Sequence, residues 1–259
     1  LPHLFGIHTV ATIHGLDWQR AKWGGFATKF LKFGEKTAAK YADELIVLSE
    51  GTRDYFKKTY GRETVFIPNG IDVQNEKKAD IITKKYGLEK DGYILFLARI
   101  VPEKGLHYLI DAFMQTDTDK KLVIAGGVSH SGEYAKQIHD MAKDDRIIFT
   151  GFVEGDELWE LYYNCRMYVL PSDVEGMPIS LLEAMACGCE CLVSNIDTAK
   201  NVVGEYGYTF KKSDVNDLKN KLCEMLGKPK ADKAEQIEYV KNNYSWDEIT
   251  DRTLELYKK

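Results

Sequence analysis

The chain has 259 residues, 44% apolar and 29% charged, with a formal charge of −5. That composition is ordinary for a soluble globular protein and argues against a general nucleic-acid binder. No apolar run reaches the roughly eighteen residues of a membrane span, since even 93–101 is interrupted by Arg99.

Short β-branched or aromatic runs alternate with longer helical patterns. In the first third, strands are predicted at 9–13, 44–48 and 65–67, and helices at 18–41 and 50–58. Further on, strands are predicted at 93–97, 121–125, 147–150, 167–170 and 190–193, with helices at 106–114, 133–142, 157–163 and 179–187. Strand–helix alternation of this kind implies parallel sheets covered by helices, an α/β class.

A boundary falls near 72–91, where the strand ending in Pro68-Asn69-Gly70 gives way to a charged stretch and a short helix. The expected division is 1–75, 76–242 and a terminal helix, 243–259, which starts at Ser245 as N-cap with Glu248 at the capping-box position. The chain opens at Leu1 just before a strand, so the first part of its amino-terminal domain, on the order of a hundred residues, is expected to be absent.

Five cysteines, an odd number, with no secretory leader fit a reducing cytoplasm. Cys187-Gly188-Cys189-Glu190-Cys191 lacks a second Cys/His cluster at zinc spacing. The expected arrangement is that Cys187 ends a helix, Gly188 breaks it, and Cys189 and Cys191 alternate on one face of the next strand.

The most informative stretch is Glu175-Gly176-Met177-Pro178-Ile179-Ser180-Leu181-Leu182-Glu183. Pro178 suits the first turn of a helix, and Gly176 permits a tight approach ahead of it. The N–H groups of Met177 to Ser180 would then point outward with the positive end of the helix dipole, a site for a phosphate oxygen. Glu175 would lie beside the phosphates, and Glu183, about two turns further on, would accept hydroxyl hydrogen bonds from a ribose diol.

Glu175 and Glu183 match the Glu-x7-Glu element of family-4 retaining glycosyltransferases, which the chain resembles over nearly its whole length. Phe96-Leu97-Ala98-Arg99-Ile100-Val101-Pro102-Glu103-Lys104-Gly105 is similar to that family's diphosphate clamp. Ile67-Pro68-Asn69-Gly70-Ile71-Asp72 is similar to its interdomain segment, and Thr150-Gly151-Phe152-Val153 to its base-contacting turn. Thr12-Ile13-His14-Gly15-Leu16-Asp17-Trp18-Gln19-Arg20-Ala21-Lys22-Trp23 resembles a bacterial subgroup that builds surface polysaccharides, including rhamnosyl-, glucosyl- and galactosyltransferases. The resemblance implies a GT-B fold, with one complete Rossmann-like donor-binding domain, a partial amino-terminal one and a last helix that crosses back to it.

It also implies transfer of a hexose or deoxyhexose from a nucleotide-diphosphate sugar, with retention, to a saccharide or lipid-linked acceptor. Leaving diphosphate needs fixed positive charge, which Arg99 and Lys104 supply after the strand at 93–97, with Lys104 opening the next helix. With two cations and a helix terminus no cofactor or divalent metal is expected, and the chain is read as offering no Asp-x-Asp triplet to hold one. Gly126 and Gly127 would let backbone approach the ligand, or simply form a turn. Phe152 would lie near the base, or else in the core. His14 and Asp17 would face sugar or acceptor hydroxyls, or else serve the turn that carries them.

The predicted helix at 18–41 sets Trp23, Phe26, Phe30, Phe33 and Thr37 at three- and four-residue spacing among Lys22, Lys29, Lys32, Lys36 and Lys40. Packing on its own sheet is the first reading of this pattern, and docking on an anionic bilayer at the cytoplasmic face is the alternative. Rival functions are a donor-binding chain without turnover and a GT-B sugar-nucleotide epimerase. A glycogen-type phosphorylase is disfavoured, because no lysine sits in a recognisable pyridoxal-phosphate context.

Overall fold

The computed structural model describes residues 5–19, 24–72, 74–127 and 132–259. The chain divides into two compact units. One comprises the residues up to Asp72 together with Val174–Pro178 and Asn242–Lys259, and the other the residues from there to Asp173 together with Ile179–Lys241.

In the first unit β1 (Val10–Ile13), β2 (Glu44–Val47) and β3 (Val65–Phe66) form a parallel sheet in that order. The helices are α1 (Gly25–Tyr41), α2 (Glu50–Tyr60) and α11 (Trp246–Tyr257). Strand β2 is covered on both faces: Leu45 and Val47 pack with Ala39, Ala42 and Phe56, while Ile46 packs with Ile67, Ile249 and Leu256. Each large apolar side chain so buried contributes on the order of 1.5–3 kcal/mol. Ser49 caps α2 by accepting the Thr52 N–H at 3.2 Å, and Gly61, at φ 62°, ends it. Helix α11 is tied down by Arg252, whose guanidinium donates to the Phe66 carbonyl at 2.6 Å, and by Trp246, whose ring occupies the space a Cβ on Gly70 would need.

The helix predicted at 18–41 begins only at Gly25, after a short 3-10 turn at Asp17–Gln19; Arg20, Lys22 and Trp23 lie outside the described residues. Ser245 does occupy the N-cap of α11, but its side chain makes no capping hydrogen bond. Its backbone bridges to Ile71 instead, so the predicted capping box is not formed.

The second unit is a six-stranded parallel sheet in the order β6-β5-β4-β7-β8-β9. Its strands are β4 (Tyr93–Leu97), β5 (Lys121–Ala125), β6 (Ile147–Gly151), β7 (Met167–Leu170), β8 (Cys191–Ser194) and β9 (Tyr208–Phe210). Around them lie α3 (Ile81–Tyr86), α4 (Leu106–Met114), α5 (Gly132–Met141), α6 (Gly155–Asn164), α7 (Ile179–Ala186), α8 (Asp197–Val203), α9 (Val215–Leu226) and α10 (Ala234–Asn243). The central strands are apolar and buried on both faces, as a parallel sheet between helix layers requires. Buried Glu160 on α6 accepts the N–H groups of Asp80 and Ile82, at 2.9 and 3.1 Å, and so caps α3 from another helix.

Strand β8 starts at Cys191, one residue later than expected, so Cys189 is not part of it. Gly188, at φ 71°, does break the chain after α7. Cys165, Cys187, Cys189 and Cys191 are buried free thiols, and burial pushes the last three upward. Among the described residues no group of three or more His, Cys, Asp or Glu is placed to hold a metal, and no helix is long and apolar enough to cross a membrane.

Candidate functional site

The order β6-β5-β4-β7-β8-β9 means that the chain moves outward from β4 to β6 and then returns to the other side of β4. The connections leaving β4 and β7 therefore diverge at their carboxyl ends, the place where open parallel sheets bind ligands. Arg99 and Lys104 both ride on the β4–α4 connection.

The sequence holds that connection in place through its backbone. Ala98 donates to the Ala125 carbonyl and Ile100 to that of Gly127, each at 3.1 Å, and Gly126 donates to Gly151 at 2.8 Å. The loops after β4, β5 and β6 are thus stitched together beneath Arg99, which is exposed. Gly126 has φ 146°, and a Cβ there would stand 1.9 Å from the Ala98 carbonyl oxygen. Its close approach is to protein backbone, a correction to the expected approach to ligand. Gly127 has nothing within 4 Å of a Cβ position, so its open side admits other groups.

Lys104 does not open the next helix as expected. It closes a 3-10 turn, Pro102–Lys104, and α4 starts after Gly105. Gly105 has φ 66°, and a Cβ on it would meet the Pro171 carbonyl oxygen at 2.0 Å. Only glycine lets this turn pass under the end of β7. Asp173 fastens the same corner: its N–H donates to Glu103, and its carboxylate accepts from Tyr108 at 3.2 Å and Ser213 at 2.7 Å.

Helix α7 begins at Ile179, where it was predicted, so Glu183 lies one turn into it. Glu183 is mostly buried and accepts from the Tyr162 hydroxyl at 2.8 Å, while Tyr168 and Ser180 share a hydrogen bond at 2.8 Å beside it. Burial raises the Glu183 carboxyl, and the Tyr162 hydrogen bond opposes that rise. Tyr162, Tyr168 and Ser180 carried no signal in the sequence, because what singles them out is a tertiary partner. Ile179 is exposed, and Phe152 is 75% exposed, so Phe152 is not a core aromatic.

The first unit gathers a second group. A Cβ on Gly176 would stand 2.1 Å from the His14 carbonyl oxygen, and one on Gly15 would stand 3.4 Å from Gly176 Cα. The His14–Gly15 turn and the Glu175–Gly176 turn are therefore in backbone contact, which glycine at both positions permits. Met177 is held by the Asn69 N–H, 3.1 Å from its sulfur, and Pro178 is buried. His14 and Asp17 are exposed and Glu175 is half-buried.

Next to them lies a cavity of about 240 Å³, lined by Asp17, Trp18, Phe30, Gly34 and Glu35 among others. Glu35 in its lining accepts from Trp18 Nε1 at 2.9 Å and from the hydroxyls of Tyr55 and Tyr60 at 2.7 Å, and among the described residues no cation pairs with it. Against the expectation, the sequence does contain one Asp-x-Asp triplet, Asp117-Thr118-Asp119, but it precedes β5 and so sits at the edge of its sheet opposite Arg99.

The sequence model for Glycosyl transferases group 1 matches residues 78–244, and that for Glycosyltransferase Family 4 matches residues 1–75. The chain is 26% identical to alpha-maltose-1-phosphate synthase of Mycolicibacterium smegmatis over 99% of its own length and 74% of that protein. It is 27% identical to O-antigen chain mannosyltransferase B of Escherichia coli over 68% of its own length, spanning about half (48%) of that relative. Among solved structures, Anabaena HepE in complex with UDP and glucose superposes with a TM-score of 0.84 at 20% identity, covering 98% of this chain and 72% of HepE. The α/β architecture with parallel sheets is that of GT-B proteins.

Proposed function

The chain belongs to the group 1 glycosyl transferases, and from that premise we propose that it moves a hexose or deoxyhexose from a nucleotide-diphosphate sugar, with retention, to a saccharide or lipid-linked acceptor of surface-polysaccharide synthesis. The observation that carries this reading is the pair Arg99 and Lys104 on a rigid connection at the switch point of a Rossmann-ordered sheet, with Glu183 one turn into the helix after β7. Arg99 and Lys104 neutralise the diphosphate as it leaves, work that a divalent metal would otherwise do. Glu183 accepts the ribose hydroxyls. Glu175, His14 and Asp17 are assigned to the hydroxyls of sugar and acceptor, with the acceptor attacking on the leaving-group face. The surface-polysaccharide role draws on the likeness to the O-antigen mannosyltransferase.

Calorimetric titration with UDP, dTDP and GDP in EDTA, followed by the sugar conjugates of whichever binds, tests the reading. One diphosphate should bind without metal and its sugar conjugate should be turned over. Absence of binding to all three would overturn it.

Gly176→Ala separates positioning from donor binding. The added methyl has no room beside the His14 carbonyl, so the turn bearing Glu175 must move by an ångström or more. Turnover is expected to fall about 10²-fold, and the affinity for the nucleotide diphosphate to fall less, because Arg99 and Lys104 ride on a different connection. Measured kcat and Kd check this, and wild-type turnover would disconnect the Glu175 turn from the reaction.

A further inference from the structure

Tyr162, the side chain that meets Glu183, is fully buried and fixed along its whole length. Its ring tilts against those of Trp159 and Tyr168, each at 6.0 Å between centroids. Its carbonyl is one of the last four of α6, which find no partner within a helix, and it accepts instead from the thiols of Cys165 and Cys189 at 3.3 and 3.1 Å. Its hydroxyl has one proton and two acceptors, Glu183 Oε2 at 2.8 Å and the Ser180 carbonyl at 3.1 Å.

We infer that Tyr162 is a positioning residue for the donor nucleotide, its hydroxyl holding one oxygen of Glu183 so that the other is presented to the ribose. The inference rests on the reading of Glu183 as the group that meets the ribose. Burial opposes ionisation of Glu183, and the Tyr162 hydrogen bond favours it. On α6, Glu157, Glu160 and Tyr163 bond to residues 74–86, and on α8, Asp197 and Lys200 are exposed. The remaining titratable groups packed on α7 are Tyr168 of β7 and the buried thiols of Cys187, Cys189 and Cys191, none of them cationic. The accepting form of Glu183 therefore depends on one neutral donor. When Glu183 takes up a proton, the Tyr162 hydroxyl keeps the Ser180 carbonyl as acceptor, so protonation weakens the ligand surface without stranding a buried donor.

The experiment is calorimetric titration of the whole chain with UDP, dTDP and GDP as a function of pH, in wild type, Tyr162→Phe, Tyr93→Phe and Glu183→Gln. Tyr162→Phe is expected to bind the nucleotide diphosphate about ten-fold more weakly near neutral pH. The loss should grow as pH falls, because Glu183 without its donor protonates first, and narrow again only where wild-type Glu183 is protonated too. Titration of the phosphate is common to all four proteins and cancels in their ratios. Inorganic pyrophosphate should bind Tyr162→Phe as it binds wild type. Tyr93→Phe removes an equally buried hydroxyl, which donates to the Leu161 carbonyl at 2.8 Å, and should lower the melting temperature similarly while keeping wild-type affinity at every pH. Added to Glu183→Gln, Tyr162→Phe should cost no more than about two-fold. A loss in Tyr162→Phe that Tyr93→Phe reproduces, or that does not vary with pH, would make Tyr162 a core residue alone and overturn the inference. Wild-type affinity in Tyr162→Phe beside a weakened Glu183→Gln would do the same. Wild-type affinity in Glu183→Gln, or no binding by the wild type, would overturn the donor reading and this inference with it.

Discussion

Arg166→Met is expected to lower the stability of the second unit by about 3–5 kcal/mol, and its melting temperature by roughly 6–15 °C. Arg166 and Glu190 form a buried ion pair, 6% and 3% exposed, at the amino ends of β7 and β8. Arg166 also donates to the carbonyls of Met225 and Lys228 at 2.6 and 2.8 Å, and Glu190 accepts from the Ala231 N–H at 3.0 Å. The pair therefore anchors the chain that leaves α9. Methionine keeps the volume but strands a carboxylate in a site with little water, which is where the large cost arises. Arg166→Met/Glu190→Leu removes that orphan and should recover more than half of the loss, while the Met225 and Lys228 carbonyls stay without their donor. Denaturant or thermal unfolding of the three proteins checks this. Nucleotide affinity should be unchanged, because the pair lies at the sheet edge opposite Arg99; a variant that lost both together would show that the two edges are coupled.

The central strands were legible in the sequence because burial on both faces makes them continuous apolar runs, and β4, β5 and β7 begin and end where periodicity puts them. Past α7 the chain was read less well, since β9 has only three residues and α8 seven. Helix α9 did leave a signal: Asp214 as N-cap, its carboxylate accepting the Asp217 N–H at 3.1 Å, with Leu218, Leu222 and Met225 at helical spacing behind it.

Helix α1 shows why an apolar stripe does not by itself say which way a helix faces. The first reading buried its phenylalanines. In the fold the buried pole is Ala39 with Glu35, because small residues let the helix approach β2 and three donors from Trp18, Tyr55 and Tyr60 satisfy the carboxylate. Those partners lie 17, 20 and 25 residues away, beyond any local pattern. The charged candidates were found through motifs that carry the family resemblance, whereas Tyr162, which holds Glu183, and Gly105, which fits under Pro171, are defined only by what they touch.

Arg99→Ala and Lys104→Ala should each weaken binding of the nucleotide diphosphate about 10–100-fold, and together about 10³-fold or more, by calorimetry. A charge-assisted hydrogen bond to phosphate contributes about 1.5–3 kcal/mol, and each 1.4 kcal/mol is tenfold. Neither change should disturb the fold, because the connection is held by backbone hydrogen bonds from Ala98 and Ile100 and by the fit of Gly105 under Pro171, none of which uses the substituted side chains. Arg99→Lys keeps the charge but gives up two-pronged donation, so an intermediate loss of about tenfold is expected. Glu183→Gln should weaken the nucleotide diphosphate while leaving inorganic pyrophosphate unaffected if, as proposed, it meets the ribose and not the phosphates. The two sets of variants therefore divide the donor between them: cations reading phosphate and a carboxylate reading sugar. Wild-type affinity in Arg99→Ala/Lys104→Ala would move the diphosphate elsewhere and remove the basis for metal-free transfer at this edge of the sheet.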